Sequence, residues 1–275
     1  MATTLAFNEV KTWLSSQPEN TADTPYEIII TNAPASGYSS ALNVDGRFVS
    51  IVGMEMSSGV TSIGKNAFLT CFGLTSVTIP SSVTTIGENA FKACFGLTSV
   101  TIPSSVTTIG DYAFYSCSSL TSVTIPSSVT SIGYQAFLNC SSLTSITIPS
   151  RIGYQAFKDC SSLTSVTISE GVTSINTGAF LNCSSLTSVT IPSSVTSIGS
   201  GAFYSCSSLT SVFMYPSFSE NLMQSDSFSG TPETLKLYVS PSKLSGWQSA
   251  ALSSYGFASG AKAETLSTKK WIRIA

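Results

Sequence analysis

The chain has 275 residues and a net charge of −2, and only 9% of its residues are charged, against about a quarter in an average soluble protein. It has no histidine, so the commonest general base and the commonest metal ligand are both missing. No basic run is long enough to follow a phosphate backbone, so a nucleic acid is not an expected partner. No apolar run reaches the roughly 18 residues of a membrane span, so no segment is expected to cross a bilayer.

The first flank, residues 1–50, is predicted to be an N-terminal cap made of a helix and a strand. Apolar residues at helical spacing predict a helix over residues 4–16. Tyr26–Thr31 is rich in β-branched residues and predicts a strand. A further short segment, Ser39–Leu42, leads into a strand near Phe48–Ile51, which is predicted to be the strand of the first coil. We expect this flank to cover the open end of the core formed by residues 51–215.

One phrase recurs through residues 51–215, and the copy that begins at Leu120 reads LTSVTIPSSVTSIGYQAFLNCSS, which is 23 residues. Its clear copies begin at Leu74, Leu97, Leu120, Leu143, Leu163 and Leu186. Degenerate copies begin at Ile51 and Leu209, and the copy from Leu143 is shortened to 20 residues. A period of about 20–29 residues with an L-x-x-L-x-L core is the signature of a leucine-rich repeat. We therefore predict a solenoid of about eight coils.

Each copy supplies eight small or apolar groups that one coil alone cannot bury. In the copy from Leu97 they are Leu97, Val100, Ile102, Val106, Ile109, Ala113, Phe114 and Cys117. The triplet Ser99–Thr101 alternates polar and apolar as a half-buried strand does, and Pro103 marks its end. Stacked parallel strands, about 4.8 Å apart, would bury the eight groups between coils. The phenylalanines of successive copies should then form one stack: Phe68, Phe91, Phe114, Phe137, Phe157, Phe180 and Phe203.

All seven cysteines occupy the same position of the repeat. They are Cys71, Cys94, Cys117, Cys140, Cys160, Cys183 and Cys206. A disulfide ladder or a metal site is the chemical alternative, but the short C-x-x-C spacing of metal sites is missing. We interpret the cysteines as a column of reduced, buried thiols that fill space as small apolar groups. Neither a metal nor a cofactor is expected.

The last flank, residues 216–275, is predicted to be a C-terminal cap and tail, because the phrase decays after Val212. Leu235–Val239 predicts a strand, and Pro241–Gly256 predicts a short helix that carries Trp247. Trp271–Ile274 is either a last strand or a tail. All three tryptophans lie in the two flanks, as expected of residues that seal the ends of a core.

Two surfaces are candidates for binding a partner. The first is a lattice of hydroxyls on the outward side of the predicted strands, which also has a simple structural explanation because Thr suits an exposed sheet. Its candidate residues are Thr98, Thr101, Thr121, Thr124, Thr144 and Thr147. The second is a tyrosine patch in the positions that vary between copies, after the Gly turn and beside the Ala-Phe pair. Its candidate residues are Tyr112, Tyr115, Tyr134 and Tyr154. Stacked coils would bring these tyrosines together as a patch for a partner. The alternative is that they are ordinary surface residues.

The phrase SLTSVTIPSSVTSIGxxAFxxC resembles the BspA-like, or treponemal-type, leucine-rich repeat family, over about 60% of the chain. The resemblance implies an α/β-type solenoid, mostly strand and irregular structure, with a right-handed superhelix and a parallel sheet on its concave face. It also implies a surface or secreted protein that adheres to matrix proteins or cells. The first residues, Met1–Glu9, lack the basic and apolar regions of a secretory signal, which favours the cytosol instead.

Several functions are therefore open. A binding or adhesion module for a protein or glycan fits the repeat and the tyrosines best. A self-associating structural spacer is compatible with the same features, and a binder of ice or an ordered polysaccharide would use the threonine lattice. An enzyme would need a Ser–Lys pair or paired carboxylates in place of histidine, and no motif brings such groups together. We therefore expect no catalytic residues.

Overall fold

The protein folds as a solenoid of parallel strands with little helix. The computed structural model describes residues 3–6, 28–31, 56, 59–248, 252–255, 257 and 263–265. Every strand pairing within this part of the chain is parallel. Successive copies of the repeat form successive coils, as the sequence predicts.

A long sheet runs along one side of the coils and contains nine strands within the described residues. They are β4 (Ser76–Thr78), β6 (Ser99–Thr101), β8 (Ser122–Thr124), β10 (Ser145–Ile148), β11 (Ser165–Ile168), β13 (Ser188–Ile191), β15 (Ser211–Met214), β16 (Lys236–Val239) and β17 (Ala263–Thr265). The central residue of each Ser-Val-Thr triplet is buried and its neighbours are exposed, for example in β6. Because equivalent residues pair, Val100 lies beside Val123 and Thr101 beside Thr124.

Shorter strands form a second side of the coils, which the sequence analysis did not predict as strands. They are β3 (Ser62–Ile63), β5 (Thr85–Ile86), β7 (Thr108–Ile109) and β9 (Ser131–Ile132), then β12 (Ser174–Ile175) and β14 (Ser197–Ile198). The first four form one sheet and the last two another. The break falls at the shortened copy, where β9 pairs with β7 on one side but meets the next coil through a single bridge to Arg151. Three missing residues therefore interrupt the short sheet, while the long sheet continues through β10 and β11.

The core is a set of parallel columns, and all eight groups predicted for the copy from Leu97 are buried. The predicted phenylalanine stack is confirmed, because consecutive rings from Phe68 to Phe203 lie 5.0–5.6 Å apart and nearly parallel. The stack continues past residue 215 to Phe228, 5.0 Å from Phe203. Met223 bridges to Ile198 in the same added coil. The coil geometry thus persists where the repeated phrase has decayed.

The segment between the Gly turn and the cysteine is a series of tight turns. In one coil the amides of Ala113, Tyr115 and Cys117 each donate to the carbonyl three residues earlier. Tyr112 and Ser116 adopt left-handed φ angles of 56° and 57°, and equivalent positions of other coils do the same. These turns point Ala113 and Phe114 inward and the residues beside them outward.

The N-terminal flank corrects one prediction. Thr3–Ala6 form strand β1, which pairs in parallel with β2 (Ile28–Thr31). The helix predicted over residues 4–16 is therefore wrong at its start, because pairing with the β-branched run of β2 outweighs the local helical spacing. The strand predicted at Tyr26–Thr31 is confirmed over its last four residues. The rest of that helix, the segments Ser39–Leu42 and Phe48–Ile51, and Trp13 lie outside the described residues.

The C-terminal flank contains the predicted strand and a broken version of the predicted helix. Strand β16 is followed by a 3₁₀ turn at Pro241–Lys243, helix α1 (Leu244–Gln248) and a second 3₁₀ turn at Leu252–Tyr255. Trp247 is fully buried, its indole N–H donates to the carbonyl of Pro216 at 3.2 Å, and its ring meets Phe218 edge to face. This tryptophan therefore packs on the segment that follows β15. The predicted segment Trp271–Ile274 lies outside the described residues.

Candidate functional site

Four tyrosines from three successive coils lie in contact on the turn segments. The rings of Tyr134 and Tyr154 are parallel, with centroids 5.3 Å apart and an interplanar angle of 1°. Tyr112 meets Tyr134 edge to face at 5.2 Å and Tyr115 at 5.9 Å. Tyr134 and Tyr154 are 37% and 40% exposed, while Tyr112 and Tyr115 are half-buried. The stacking of coils therefore brings the predicted tyrosine patch together as one surface.

Two glutamine side chains hold the parallel rings in place. The amide of Gln135 donates to the phenol oxygen of Tyr134 at 3.1 Å and to the side-chain oxygen of Gln155 at 2.6 Å. The amide of Gln155 in turn lies 3.4 Å from the phenol oxygen of Tyr154. Because the bond between Gln135 and Gln155 joins two coils, it restrains both glutamine side chains before a ligand packs on the rings, which lowers the entropy cost of binding.

One end of the patch carries charge. The ammonium of Lys92 lies 5.0 Å from the ring centroids of both Tyr112 and Tyr115, in cation–π range. The carboxylate of Asp111 accepts the backbone N–H of Tyr134 at 2.7 Å. Partial burial, followed by the neighbouring Tyr134, raises the pKa of Tyr112 above 10.0. The phenol of Tyr112 therefore stays neutral at physiological pH, and the patch presents aromatic faces and hydroxyl groups.

The threonine lattice is also exposed, but half of its hydroxyls already have a structural role. The hydroxyls of Thr98, Thr121 and Thr144 each donate to a threonine carbonyl of the preceding coil at 3.0–3.3 Å. They tie one coil to the next. A second set makes no such hydrogen bond within the described part of the chain and is open to solvent: Thr101, Thr124 and Thr147.

An exposed aromatic pair was missed by the sequence analysis. Phe72 and Phe95 are 48% and 45% exposed, and their rings stack 5.1 Å apart at 8°. They follow the cysteine of their coils, in a position that holds Ser in the later coils, such as Ser118. The change from Cys-Ser-Ser to Cys-Phe-Gly in two adjacent copies is the signal that would have found them.

The cysteine column has the environment of a core and lacks that of a reactive site. Six of the cysteines are buried, Cys71 is partly buried, and all seven are free. Burial raises the pKa of Cys117, Cys160 and Cys206 to about 12, although metal binding and nucleophilic attack both need the thiolate. Over the described ranges, no three His, Cys, Asp or Glu side chains are grouped so that they could hold a metal ion.

Sequence comparison decides the family. A model of the BspA type leucine-rich repeat region matches residues 47–154 and 150–256, together most of the chain. The chain belongs to this family. The resemblance found in the repeated phrase is thus confirmed. No curated protein sequence matches this BspA-type repeat protein. In the part that the structure describes, no helix has the length and apolarity needed to cross a membrane.

Several solved structures of leucine-rich repeat proteins are similar to this chain. A leucine-rich repeat protein from T. pallidum is 30% identical, and the match covers 67% of this chain and 80% of that chain with a TM-score of 0.52. A leucine-rich repeat protein from Bacteroides ovatus is 26% identical over 77% of this chain and 63% of that chain, with a TM-score of 0.48. A leucine-rich cell surface protein from Faecalibacterium prausnitzii is 26% identical over 91% and 93% of the two chains, with a TM-score of 0.40.

Proposed function

We propose that this protein is a non-catalytic binding scaffold that recognises a protein or glycan partner through the tyrosine patch, Tyr112, Tyr115, Tyr134 and Tyr154. The observation that carries the proposal is that four phenol rings from three coils make one continuous aromatic contact. Tyrosine is enriched where interfaces concentrate their binding energy. Glutamine hydrogen bonds to the phenols of Tyr134 and Tyr154 support the proposal, because they restrain these two rings before a partner arrives.

The test is a binding screen against extracellular matrix proteins and glycans, repeated with all four tyrosines changed to alanine. We expect the fourfold variant to lose at least about tenfold in affinity for any partner found, since an interface centre often contributes about 2 kcal/mol or more. The matched control changes Phe72 and Phe95 to alanine, which removes an equally exposed aromatic pair elsewhere. Unchanged affinity in the fourfold variant would refute the proposal.

The threonine lattice is the second candidate surface. The solvent-exposed hydroxyls of Thr101, Thr124 and Thr147 support a role in an extended, weak contact. Changing Thr101 and Thr124 to lysine would place two adjacent charges on the long sheet, because these residues pair across β6 and β8. A partner that binds this face would lose affinity, because the long lysine side chains cover the hydroxyls, while a partner that binds the tyrosine patch would not be affected. Light scattering over a concentration series tests the alternative of a self-associating spacer.

The proposal includes the surface or secreted location that the family resemblance implies. Family likeness supports it, and so do the low charge and the hydroxyl-rich exterior. Accessibility of the protein to an externally added protease in intact cells is the measurement. Complete protection, with degradation only after lysis, would contradict an external location.

A further inference from the structure

The parallel tyrosine stack ends at Tyr154. One ring face of Tyr154 packs on Tyr134, whereas the equivalent position of the next coil holds Thr177. The following residue is Gly178, where the preceding coils have Gln155 and Gln135. The backbone N–H of Gln155 donates to the backbone carbonyl of Thr177 at 3.1 Å, so the two coils are directly adjacent. The surface therefore steps down from a phenol ring to small side chains within one coil rise.

The coils beyond Tyr154 carry small residues at the position of the ring and at the position after it. Gly178 has a left-handed φ of 62°, and an added Cβ would lie 2.9 Å from Cγ of Gln155, so the Gln155 side chain covers this buried glycine. Gly201 holds the same position one coil further on, with φ of 59°, and is also buried. The step beyond Tyr154 is therefore formed by Thr177 and Ser200, which take the place of the ring in the next two coils.

Polar groups surround the step. The side chain of Gln155 is fixed between Gln135 and the Tyr154 phenol. The hydroxyls of Thr177 and Ser200 make no hydrogen bond to any described part of the protein, and both residues are half-buried. In the same coil as Tyr154, Lys158 and Asp159 form an ion pair at 3.9 Å. The step therefore combines a partly exposed aromatic ring with two hydroxyls that are available to a ligand.

We infer that this step binds a pyranose ring of a neutral glycan, with the sugar stacked on the open face of Tyr154. The C–H groups on one face of a pyranose carry partial positive charge and complement the negative face of an aromatic ring. The hydroxyls at its edge would bond to Thr177, Ser200 and Gln155. A step one coil rise deep, about 4.8 Å, suits a flat ring. A polypeptide side chain would gain more from an enclosed pocket. This inference rests on the proposed function and specifies its ligand.

The experiment uses the full chain and calorimetric titration with four neutral hexasaccharides, built from β-linked glucose, N-acetylglucosamine, mannose and xylose. A sulfated hexasaccharide is the charged comparison. The variants are Tyr154→Ala, which removes the aromatic ring, and Thr177→Arg, which places a long side chain in the step. Tyr154→Phe keeps the ring, and Phe95→Ala removes an aromatic side chain of similar exposure at another site. Circular dichroism melts establish that each variant is folded.

We expect at least one neutral hexasaccharide to bind more tightly than the sulfated one. Tyr154→Ala and Thr177→Arg should each weaken it by about tenfold or more, because the first removes the stacking face and the second occupies the space of the sugar. Phe95→Ala should remain close to the wild type, whereas Tyr154→Phe, which keeps the ring but loses the Gln155 contact, should weaken binding less than Tyr154→Ala does. The inference is overturned if no neutral hexasaccharide binds, or if folded Tyr154→Ala binds as well as the wild type.

The two proposals can fail separately. If no hexasaccharide binds but a matrix protein loses affinity for the fourfold alanine variant, the scaffold function stands and the glycan inference is wrong. If the fourfold variant retains every partner found in the screen, the tyrosine patch is not the binding surface. The glycan inference would then fail as well, because Tyr154 is one of the four residues.

Discussion

The thiol of Cys117 donates a hydrogen bond to the carbonyl of Phe91, 3.2 Å away and 26 residues earlier in the chain. Five other cysteines make the same bond one coil back: Cys94, Cys140, Cys160, Cys183 and Cys206. The cysteine column is thus a set of contacts between coils as well as a filler of space. A small side chain with a weak donor fits this position because the acceptor carbonyl is itself buried.

Thiol reactivity should divide the cysteines into two classes. In the native protein without reductant, we expect one thiol, that of the partly buried Cys71, to react readily with a thiol reagent. In denaturant, all seven should react. Cys71→Ser is the control and should abolish the fast native reaction while leaving six thiols in denaturant. Fewer than seven thiols in the denatured wild type would contradict the assignment of free cysteines.

Stability should fall in alkali. Burial raises the pKa of Cys117, Cys160 and Cys206 from 9.0 to about 12. The unfolded chain therefore releases thiol protons from about pH 9 while the folded chain keeps them. This contribution to stability is fully present below pH 9 and is lost as the pH rises towards 12. Urea midpoints at pH 8 and pH 10 measure it.

Cys117→Ala is the matched variant for that pH series. It removes one titrating thiol and should therefore make the decline between pH 8 and pH 10 shallower than in the wild type, whatever its effect on stability at pH 8. A wild-type urea midpoint that is flat over this range would mean that the thiols are not buried in the folded protein. The interval stops at pH 10 because the ordinary pKa of a tyrosine is about 10, and ionisation of that residue type would dominate at higher pH.

The phenylalanine stack should be the most sensitive part of the core. Phe114 is fully buried, with Phe91 5.2 Å away on one side and Phe137 5.0 Å away on the other. Phe114→Ala should lower the free energy of unfolding by about 3–5 kcal/mol, because it leaves a cavity between two coils. Phe95→Ala, at a 45% exposed ring, is the control and should cost much less. Equal losses from the two substitutions, measured by urea denaturation, would contradict the stacking.

The repeated phrase predicted the coils, the inward groups and the phenylalanine stack, because a residue that recurs at one position of every copy must meet its own equivalents. It did not predict short strands such as β7, since two residues show no alternation and become a strand only by bonding to neighbouring coils. Nor did it predict that Phe228 extends the stack, because the surrounding sequence has changed. For the tyrosine patch, proximity was predictable from the coil spacing. The glutamine network and the position of Lys92 depend on side-chain directions that the spacing does not contain.

The left-handed positions of the turns offer a test of backbone strain. Ala93 has a φ of 59°, in the position equivalent to Ser116. A left-handed φ destabilises the folded state by about 1–2 kcal/mol for a residue with a Cβ, and glycine avoids this strain. Glycine also increases the conformational entropy of the unfolded chain, which lowers stability by about 0.4–1 kcal/mol. Ala93→Gly should therefore raise the free energy of unfolding by about 0.5–1 kcal/mol, although most changes to glycine destabilise.

Gly201→Ala is the reverse substitution and should destabilise by a similar amount. Its φ is 59°, and an added Cβ would come no closer than 3.5 Å to Cβ of Tyr204, which is ordinary contact. Its effect therefore reports the backbone angle, without a steric clash. Urea denaturation of the two variants should move the midpoint in opposite directions. If Ala93→Gly instead destabilises like a glycine in a right-handed turn, the left-handed geometry of this segment is wrong, and with it the direction in which each coil presents its outward side chains.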